Sequence, residues 1–252
     1  MKCEGCSDGV DPPFPFTMAF QPIIDVAARS VWAYEALVRG PEGESAAHVL
    51  DQVRPDNQYR FDQSCRVRAI ELAGALFPAG GDVRVSINFM PNAVYEAAAC
   101  IRTSLAAAAR VGFPPERIVF EFTETERLAD PAHVRRIVDT YREIGFVTAL
   151  DDFGSGHSGL RLLAELNPGV IKIDMDLVRG LDADKRRRMI VGGVARIARD
   201  LGIAVVAEGV ERRAEVDALG DLGITLLQGF FFAHPALAAL PAITWDGPVG
   251  PA

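Results

Sequence analysis

The sequence has few cysteines and few histidines, four of each among 252 residues. Cys3 and Cys6 form a single CxxC, and no second CxxC or histidine pair completes a zinc site. We interpret this pair as part of a tail without a role, with a structural or redox role as the alternative. Cys65 and Cys100 fall within helical patterns and are expected to pack in the core.

Basic residues are also in the minority, since 26 lysines and arginines face 34 aspartates and glutamates, for a net charge of −8. Such a chain is not suited to neutralising a nucleic-acid backbone, so we expect no nucleic-acid polymer as a partner. An anionic substrate would need cations to mediate its binding. The acidic balance therefore fits a metal site.

Long apolar runs are missing as well. No window approaches the ~18 uninterrupted apolar residues that a membrane-spanning helix needs. The N-terminus "MKCEGCSDGVDPPFPF" lacks the apolar core of a secretory signal. We therefore expect no membrane insertion and a cytoplasmic location. Whether the chain is a stand-alone domain or a fragment of a longer protein stays open.

Short β-type runs recur along the chain after the proline-rich "DPPFPF". They read "MAFQPII", "VWAYEALVR", "VRVSINF", "RIVFEFTE", "FVTALDDF", "GVIKIDM", "IAVVAEGV" and "ITLLQGFFF". Apolar residues at helical spacing lie between most of them, as at Phe61, Cys65, Ala69, Leu72 and Leu76. Strands that alternate with helices pair in parallel, and eight of them in a chain of this length predict an α/β fold, a TIM-like (β/α)8 barrel.

The first connection departs from this rule. Only "VAARS" separates the first two runs, which is too short for a helical crossover, so these strands should be antiparallel neighbours. The barrel is thus predicted to have a reversed first strand. We expect one domain over residues 18–240, with a flexible N-terminal tail at 1–17 and a C-terminal tail at 241–252.

Polar residues close seven of the apolar runs, at the strand ends where barrel enzymes place their chemistry. These residues are Glu35, Asn88, Glu121, Asp151 with Asp152, Lys172, Glu208 and Gln228. Each could singly satisfy loop amides, but so many carboxylates in one mouth would repel one another unless cations lay among them. Oxygen ligands without cysteine or histidine select hard ions such as Mg²⁺ or Mn²⁺ over Zn²⁺.

The adjacent aspartates Asp151 and Asp152 suit a site with two metal ions. Two metals about 3.5–4 Å apart can activate a water and clamp both oxygens of an in-line displacement at phosphorus. A simpler alternative is that Asp152 caps the following turn. Lys172 is the odd cation of the set, and it would either hold the acidic cluster together or orient the water and stabilise charge at phosphorus.

These residues lie in motifs that resemble the EAL domain, the bacterial cyclic di-GMP phosphodiesterase module. In the family's order, from Ala19 to about Pro235, the motifs read "YEALVRG", "SINFMP", "FEFTETE", "LDDFGSGHSGL", "IKID", "AEGVE" and "LQGFFFAHP". The resemblance implies a phosphodiesterase of second-messenger signalling that hydrolyses cyclic di-GMP to linear 5′-pGpG with two divalent cations, Mg²⁺ or Mn²⁺. Ca²⁺ is expected to occupy the site without supporting the chemistry.

The resemblance also implies roles for single residues. The metal ligands that it implies are Glu35, Asn88, Glu121, Asp151, Asp152 and Glu208, with Asp151 serving both ions. The catalytic residues that it implies are Lys172, Glu208 and Glu35. The substrate-binding residues that it implies are Gln21, Leu37, Arg39 and Gln228. Glu124 is expected to anchor the loop that carries the aspartate pair, with an ordinary surface glutamate as the alternative.

This loop departs from the common "DDFGTGYSSL" pattern, because it has Ser155, His157 and Gly159 in place of Thr, Tyr and Ser. Ser155 keeps the hydroxyl. His157 replaces the packing of a phenol with a ring that titrates near neutral pH. The loop could therefore differ from the family in its order or in its response to pH.

Two alternatives to hydrolysis are open. A catalytically silent EAL-type receptor or scaffold would bind cyclic di-GMP or a protein partner without turnover, but such members are expected to lack metal ligands, and this chain lacks none. An unrelated Mg²⁺-dependent barrel enzyme that stabilises an enolate should ignore cyclic di-GMP. By resemblance we also expect a homodimer, formed through helices next to the loop of Asp151 and Asp152.

Overall fold

The computed structural model describes residues 12–91, 94, 100–124, 131–156 and 159–247. Cys3, Cys6 and His157 lie outside these ranges, so the expectations for them stay predictions. Within the described ranges, no helix combines the length and the apolar character that crossing a membrane requires.

The first eight strands of the described residues close into a barrel. They are β1 Thr17–Asp25, β2 Ser30–Arg39, β3 Arg84–Asn88, β4 Ile118–Thr123, β5 Val147–Phe153, β6 Val170–Ile173, β7 Ala204–Ala207 and β8 Leu226–Gln228. Their order is β2-β3-β4-β5-β6-β7-β8-β1, and β1 pairs again with β2. Strands β2 to β8 run parallel, whereas β1 is antiparallel to both β2 and β8. The predicted barrel with a reversed first strand is confirmed.

A tight hairpin explains the reversal. Residues 26–29 join β1 to β2, and Asp25 Oδ1 accepts hydrogen bonds from the backbone N–H groups of Ala27 and Ala28, each at 3.0 Å. Arg29 adopts a positive φ of 49°, as turn residues do. Because the connection is far shorter than a helical crossover, β1 begins at the end of the barrel where the parallel strands finish. We call this end the mouth.

Helices cover the outside of the barrel. They are α1 Ala46–Leu50, α2 Gln58–Leu76, α3 Arg102–Val111, α4 Pro131–Ile144, α5 Gly159–Leu166, α6 Met175–Val178, α7 Lys185–Leu201 and α8 Arg213–Asp221. Local signals set their ends. The side chain of Asp184 caps α7 by accepting from the backbone N–H groups of Arg186 and Arg187, and Gly202 ends this helix with a φ of 71°.

Side chains inside the barrel form an apolar layer below a polar one. The apolar layer includes Ala33, Val119, Ala149, Val170, Val206 and Leu226. Each of these precedes a polar strand residue by two positions, at 35, 121, 151, 172, 208 and 228. Side chains two positions apart on a strand share a face. The polar residue that follows each apolar one therefore also points into the barrel, one layer nearer the mouth.

The packed structure begins before residue 18. Thr17 already belongs to β1. Phe14 and Phe16 pack against Phe61 of α2, with ring centroids 5.3 and 5.5 Å apart. These contacts place residues 14–17, which fall within the expected tail at 1–17, against the helix layer and in β1.

The packed structure also continues past residue 240. A short strand that the sequence analysis did not predict, β9 Ala236–Leu237, pairs with β1. Further on, Thr244 Oγ1 donates to the carbonyl oxygen of Phe232 at 2.8 Å, and the guanidinium of Arg29 lies 5.3 Å from the ring centroid of Trp245. The expected C-terminal tail therefore begins with residues that are fixed to the barrel.

A buried ion pair lies between α2 and the barrel. Arg66 Nη2 lies 2.5 Å from Asp62 Oδ2, and the two side chains are 0% and 2% exposed. Arg66 Nη1 donates a hydrogen bond to Tyr141 Oη of α4 at 2.8 Å. The pair therefore ties two neighbouring helices together where water cannot replace a lost partner.

Replacing Tyr141 with phenylalanine should destabilise the fold. Tyr141→Phe removes the acceptor of a buried guanidinium N–H, and we expect the free energy of unfolding to fall by about 1–3 kcal/mol. Urea denaturation followed by circular dichroism measures this change. Tyr59→Phe is the matched control, because Tyr59 is 39% exposed and its loss of a hydroxyl should be close to neutral. Equal stability of the two variants would contradict the prediction.

Candidate functional site

The polar layer of the barrel converges on Lys172. Its Nζ lies 2.8 Å from Glu208 Oε1, 3.0 Å from Glu121 Oε2, 3.1 Å from Asp151 Oδ1 and 3.4 Å from Glu35 Oε2. The lysine side chain is 1% exposed. Three strands and the residue that directly follows β7 thus send a carboxylate to one ammonium on β6. The structure brings together five of the residues that the sequence singled out.

Two amide side chains hold Glu35 from either side. Asn88 Nδ2 donates to Glu35 Oε1 at 3.0 Å and lies 3.5 Å from Glu121 Oε2. Gln228 Nε2 donates to Glu35 Oε2 at 2.7 Å and lies 3.3 Å from Gln21 Oε1. Both oxygens of Glu35 are therefore oriented by side chains from other strands.

The backbone turns sharply at the aspartate pair. Asp152 has a positive φ of 53°, and the pairing of β5 with β6 shifts register between Leu150 and Phe153. A left-handed non-glycine residue costs on the order of 1–3 kcal/mol, and such strain is concentrated at functional sites. The turn brings carboxylate oxygens of Asp151, Asp152 and Glu208 within 4.8 Å of one another. Two adjacent residues of one strand can thus face the same space.

Lys172 keeps its charge although it is buried. Burial by itself lowers the pKa of an ammonium, but the carboxylates of Asp151, Glu121, Glu208 and Glu35 raise the pKa of Lys172 well above its usual range. These neighbouring carboxylates therefore favour the charged form of the lysine.

The carboxylates around this lysine repel one another. Burial, with the charges of Glu35 and Asp151, raises the pKa of Glu121 well above its usual range even though the lysine opposes the shift. Burial, with the charges of Asp151 and Asp174, raises the pKa of Asp152 to about 6. A bound cation would stabilise the ionised form of these buried, mutually repelling carboxyl groups.

The donors fit hard divalent cations. Glu35, Glu121 and Asp151 form one group of carboxylates, and Asp151, Asp152 and Glu208 form a second; within each group the ligand atoms lie within 4.8 Å of one another. Asp151 belongs to both groups. All of these donors are oxygens, the ligand type that Mg²⁺ and Mn²⁺ prefer. The residues present are thus suited to two ions that share one carboxylate.

Glu124 fixes the loop that follows the aspartate pair. It is 5% exposed, its Oε2 accepts from the N–H of Gly154 at 2.8 Å, and its Oε1 accepts from the N–H of Gly159 at 2.6 Å. A Cβ at position 159 would lie 2.8 Å from Glu124 Oε2 and 3.0 Å from the ring of Phe153. A larger residue at 159 would press on this carboxylate, so the glycine leaves room for the contact, and Glu124 is not a surface residue.

A cavity of about 300 Å³ opens at the mouth. The residues foreseen from the sequence that line it are Gln21, Glu35, Leu37, Asp151, Asp152, Glu208 and Gln228. The lining residues that sequence reasoning missed are Asp174, Met175, Arg179, Gly209, Glu211, Gly229 and Phe230. Two acidic ones had a signal, since Asp174 ends "IKID" and Glu211 ends "AEGVE".

Arg39 lies apart from the other foreseen residues. Among the described residues it is not one of those that line the cavity, and its Nη1 donates to the carbonyl oxygen of Val38 at 2.7 Å. The side chain would have to leave this contact to reach a ligand in the cavity.

The chain matches the EAL domain family model over residues 15–235. Among curated relatives, the blue light- and temperature-regulated antirepressor BluF of Escherichia coli K12 is 30% identical over 244 residues, which cover 97% of this chain and 60% of BluF. The cyclic di-GMP phosphodiesterase RocR of Pseudomonas aeruginosa is 32% identical over 156 residues, which cover 62% of this chain and 40% of RocR. The chain thus spans 60% or less of the length of either relative.

Solved structures share the same architecture. The standalone versatile EAL protein of Vibrio cholerae O395, in its c-di-GMP bound form, is 48% identical, with a TM-score of 0.88 and coverage of 93% of this chain and 98% of that one. The manganese and cyclic di-GMP complex of Klebsiella pneumoniae BlrP1 at pH 9.0 is 36% identical, with a TM-score of 0.84 and coverage of 90% and 58%. With its barrel, its motif series and the converging carboxylates, the chain belongs to the EAL domain family.

Proposed function

We propose that this chain hydrolyses one phosphodiester bond of cyclic di-GMP to give linear 5′-pGpG, with two divalent cations, Mg²⁺ or Mn²⁺, held at the mouth. The observation that carries the proposal is the pair of oxygen-only ligand groups that share Asp151. RocR, which is named as a cyclic di-GMP phosphodiesterase, supports the reaction. The manganese and cyclic di-GMP complex of BlrP1 supports the choice of metal and substrate.

The reaction balances as a hydrolysis. The oxygen of a water bonds to phosphorus, the bond from phosphorus to the 3′-oxygen breaks, one proton of the water ends on that oxygen, and the phosphate stays on the 5′ side. Bound at these ligands, the cations would supply a nucleophilic water at neutral pH and neutralise charge on the phosphate. Glu35, Asn88, Glu121, Asp151, Asp152 and Glu208 would hold them.

The chain's own residues prepare this chemistry. Lys172 holds four carboxylates within 3.4 Å of its Nζ, so the ligands are already in place before substrate enters, and its positive charge favours an anionic phosphate nearby. Asn88 and Gln228 keep Glu35 oriented. When the ligands are ordered in advance, little conformational entropy has to be lost to reach the transition state, which lowers the barrier.

The cavity offers features that suit a dinucleotide. Gln21, Leu37 and Gln228 line the cavity together with the carboxylates. Phe230 is 47% exposed, and its ring centroid lies 4.0 Å from that of His234. The exposed part of the phenylalanine ring could stack with a guanine base. Arg39 is assigned to a substrate phosphate through the family resemblance, with the change of contact noted above.

A second candidate function is binding without turnover. The observation that favours it is the match to BluF, which is named as an antirepressor and aligns with 97% of this chain. Against it stands the complete set of oxygen ligands, which a purely structural partner-binding domain has no need to keep.

Neutralising Asp151, the carboxylate that both ligand groups share, should separate hydrolysis from binding without turnover. We expect wild-type protein with Mn²⁺ or Mg²⁺ to convert cyclic di-GMP to pGpG, and Asp151→Asn to lose at least about 10²-fold in rate, because both ions lose a charged ligand. Product analysis by liquid chromatography measures this. Chelation should also stop the reaction, and Ca²⁺ should bind without supporting it.

Asp176→Asn is the matched control. Asp176 is an exposed aspartate near the same mouth, and its variant should retain the wild-type rate. Binding of cyclic di-GMP by the wild-type protein without any pGpG would reject hydrolysis and favour the second candidate.

Removing the buried ammonium should destabilise the metal-free protein. Lys172→Met leaves four carboxylates without their cation, an effect of about 3–5 kcal/mol for one broken buried pair. We expect a lower melting temperature without metal and a larger rise on adding Mn²⁺ than in wild type. Differential scanning calorimetry measures both. Lys185→Met, at an exposed lysine, should melt like wild type, and the same behaviour in Lys172→Met would refute the expectation.

We also propose a homodimer. Exposed apolar side chains lie on α5, which directly follows the aspartate loop, and on α7: Leu160 is 63% exposed, Met189 66% and Ile190 52%. Exposed apolar side chains of this size favour burial against a second copy. The dimer interface expected from the family lies next to the same loop.

A charge among these apolar side chains should weaken the dimer. We expect sedimentation velocity at micromolar concentration to show a dimer for wild type and a shift to monomer for Leu160→Glu, because the new carboxylate would be desolvated at the interface. Leu50→Glu on α1, where Leu50 is 43% exposed, should leave the dimer intact. A wild-type protein that sediments only as a monomer would exclude the interface.

A further inference from the structure

The buried ion pair of Asp62 and Arg66 lies on the helix side of the barrel wall, yet its contacts lead to two of the proposed metal ligands. Asp62 Oδ1 accepts a hydrogen bond from the backbone N–H of Met90 at 2.9 Å. Met90 follows Asn88 by two residues in the chain. One end of the pair is therefore fixed to the segment that leaves β3 just after a ligand.

The other end of the pair packs on aromatic rings. The guanidinium carbon of Arg66 lies 5.0 Å from the ring centroid of Phe89 and 5.5 Å from that of Phe120. Phe89 directly follows Asn88, and Phe120 directly precedes Glu121. A cation at these distances attracts both rings, so Arg66 holds the residues that adjoin both ligands.

Strand geometry connects the rings to the ligands. Neighbouring side chains on a strand point to opposite faces, so Phe120 points to the helix layer while Glu121 points into the barrel. The backbone N–H of Phe89 donates to the carbonyl oxygen of Glu121 at 2.9 Å, and Asn88 pairs with Glu121 across β3 and β4. A shift of the rings would therefore shift both ligands.

Packing of α2 against the barrel does not by itself require an ion pair at this position. Replacing a buried ion pair by apolar residues of similar size is often neutral or stabilising. Ligands, by contrast, must be held within about 0.5 Å of the productive geometry by the residues behind them. Building on the proposed function, we propose that the Asp62–Arg66 pair is a positioning device that keeps Asn88 and Glu121 in the arrangement that a divalent cation requires.

The test removes both charges and keeps the volume. In the double variant Asp62→Leu with Arg66→Met, the hydroxyl of Tyr141 and the backbone N–H of Met90 lose their partners, so we expect a folded protein with a lower melting temperature than wild type. At a temperature where both proteins are folded, its Kd for Mn²⁺ should be raised about ten-fold or more, the usual effect of losing a residue that supports a ligand. Electron paramagnetic resonance of free Mn²⁺ in titrations of the full chain measures the Kd. Hydrolysis should fall most at limiting Mn²⁺ and recover in part when Mn²⁺ is in excess.

An exposed pair that includes another residue of α2 provides the control. Glu71 Oε1 lies 2.7 Å from Arg110 Nη2, with side chains 38% and 56% exposed. Glu71→Gln with Arg110→Gln removes as much charge, but far from the ligands' backbone. Its Kd for Mn²⁺ should equal that of wild type.

The outcomes separate the inference from the proposed function. A folded double variant with an unchanged Kd for Mn²⁺ would overturn the inference. If the double variant does not fold, Arg66→Lys decides instead, because it keeps the charge and loses the flat guanidinium against the rings. We expect this variant to have a higher Kd for Mn²⁺ than wild type. An unchanged Kd would overturn the inference. Wild type that binds Mn²⁺ but does not hydrolyse cyclic di-GMP rejects only the proposed function, and the Kd values still decide the inference.

Discussion

One ammonium among four carboxylates is the interaction on which the mouth of this barrel depends. Side chains from β2, β4, β5 and the residue after β7 lie within 3.4 Å of Lys172 Nζ. Burial by itself would lower the pKa of the lysine, but these neighbours outweigh that effect. One lysine cannot neutralise four carboxylates, so the site favours the binding of further cations. The same contacts therefore hold the carboxylates together and place a positive charge at the mouth.

Most of the fold and much of the site were predictable because both follow from a period of two. A buried parallel strand is an apolar run, and the polar residue at its end lies two positions beyond an apolar one that fills the barrel, as Val170 precedes Lys172. The reversed β1 followed from the length of a turn. Ligand candidates could therefore be read from the strand ends before their distances were known.

What could not be predicted depends on tertiary contacts. Asp174 and Glu211 lie in loops, where position in the chain does not fix position in space. The two-residue β9 is too short to leave a periodic signal. Asp62 and Arg66 have the composition of a helix surface, since charged residues are seldom fully buried, and nothing local reveals that this turn of α2 faces inward. The anchoring role of Glu124 came from resemblance, and its near-complete burial is visible only in the structure.

The reversal of β1 has a consequence for how the molecule can be approached. In a barrel whose eight strands all run parallel, β1 begins at the end opposite the mouth, far from the active site. Here it begins beside the mouth, where Phe14 and Phe16 contact Phe61, the residue next to Asp62. A fluorophore, a tether or another protein module attached directly before β1 would accordingly lie near the mouth, close to any ligand that enters the cavity.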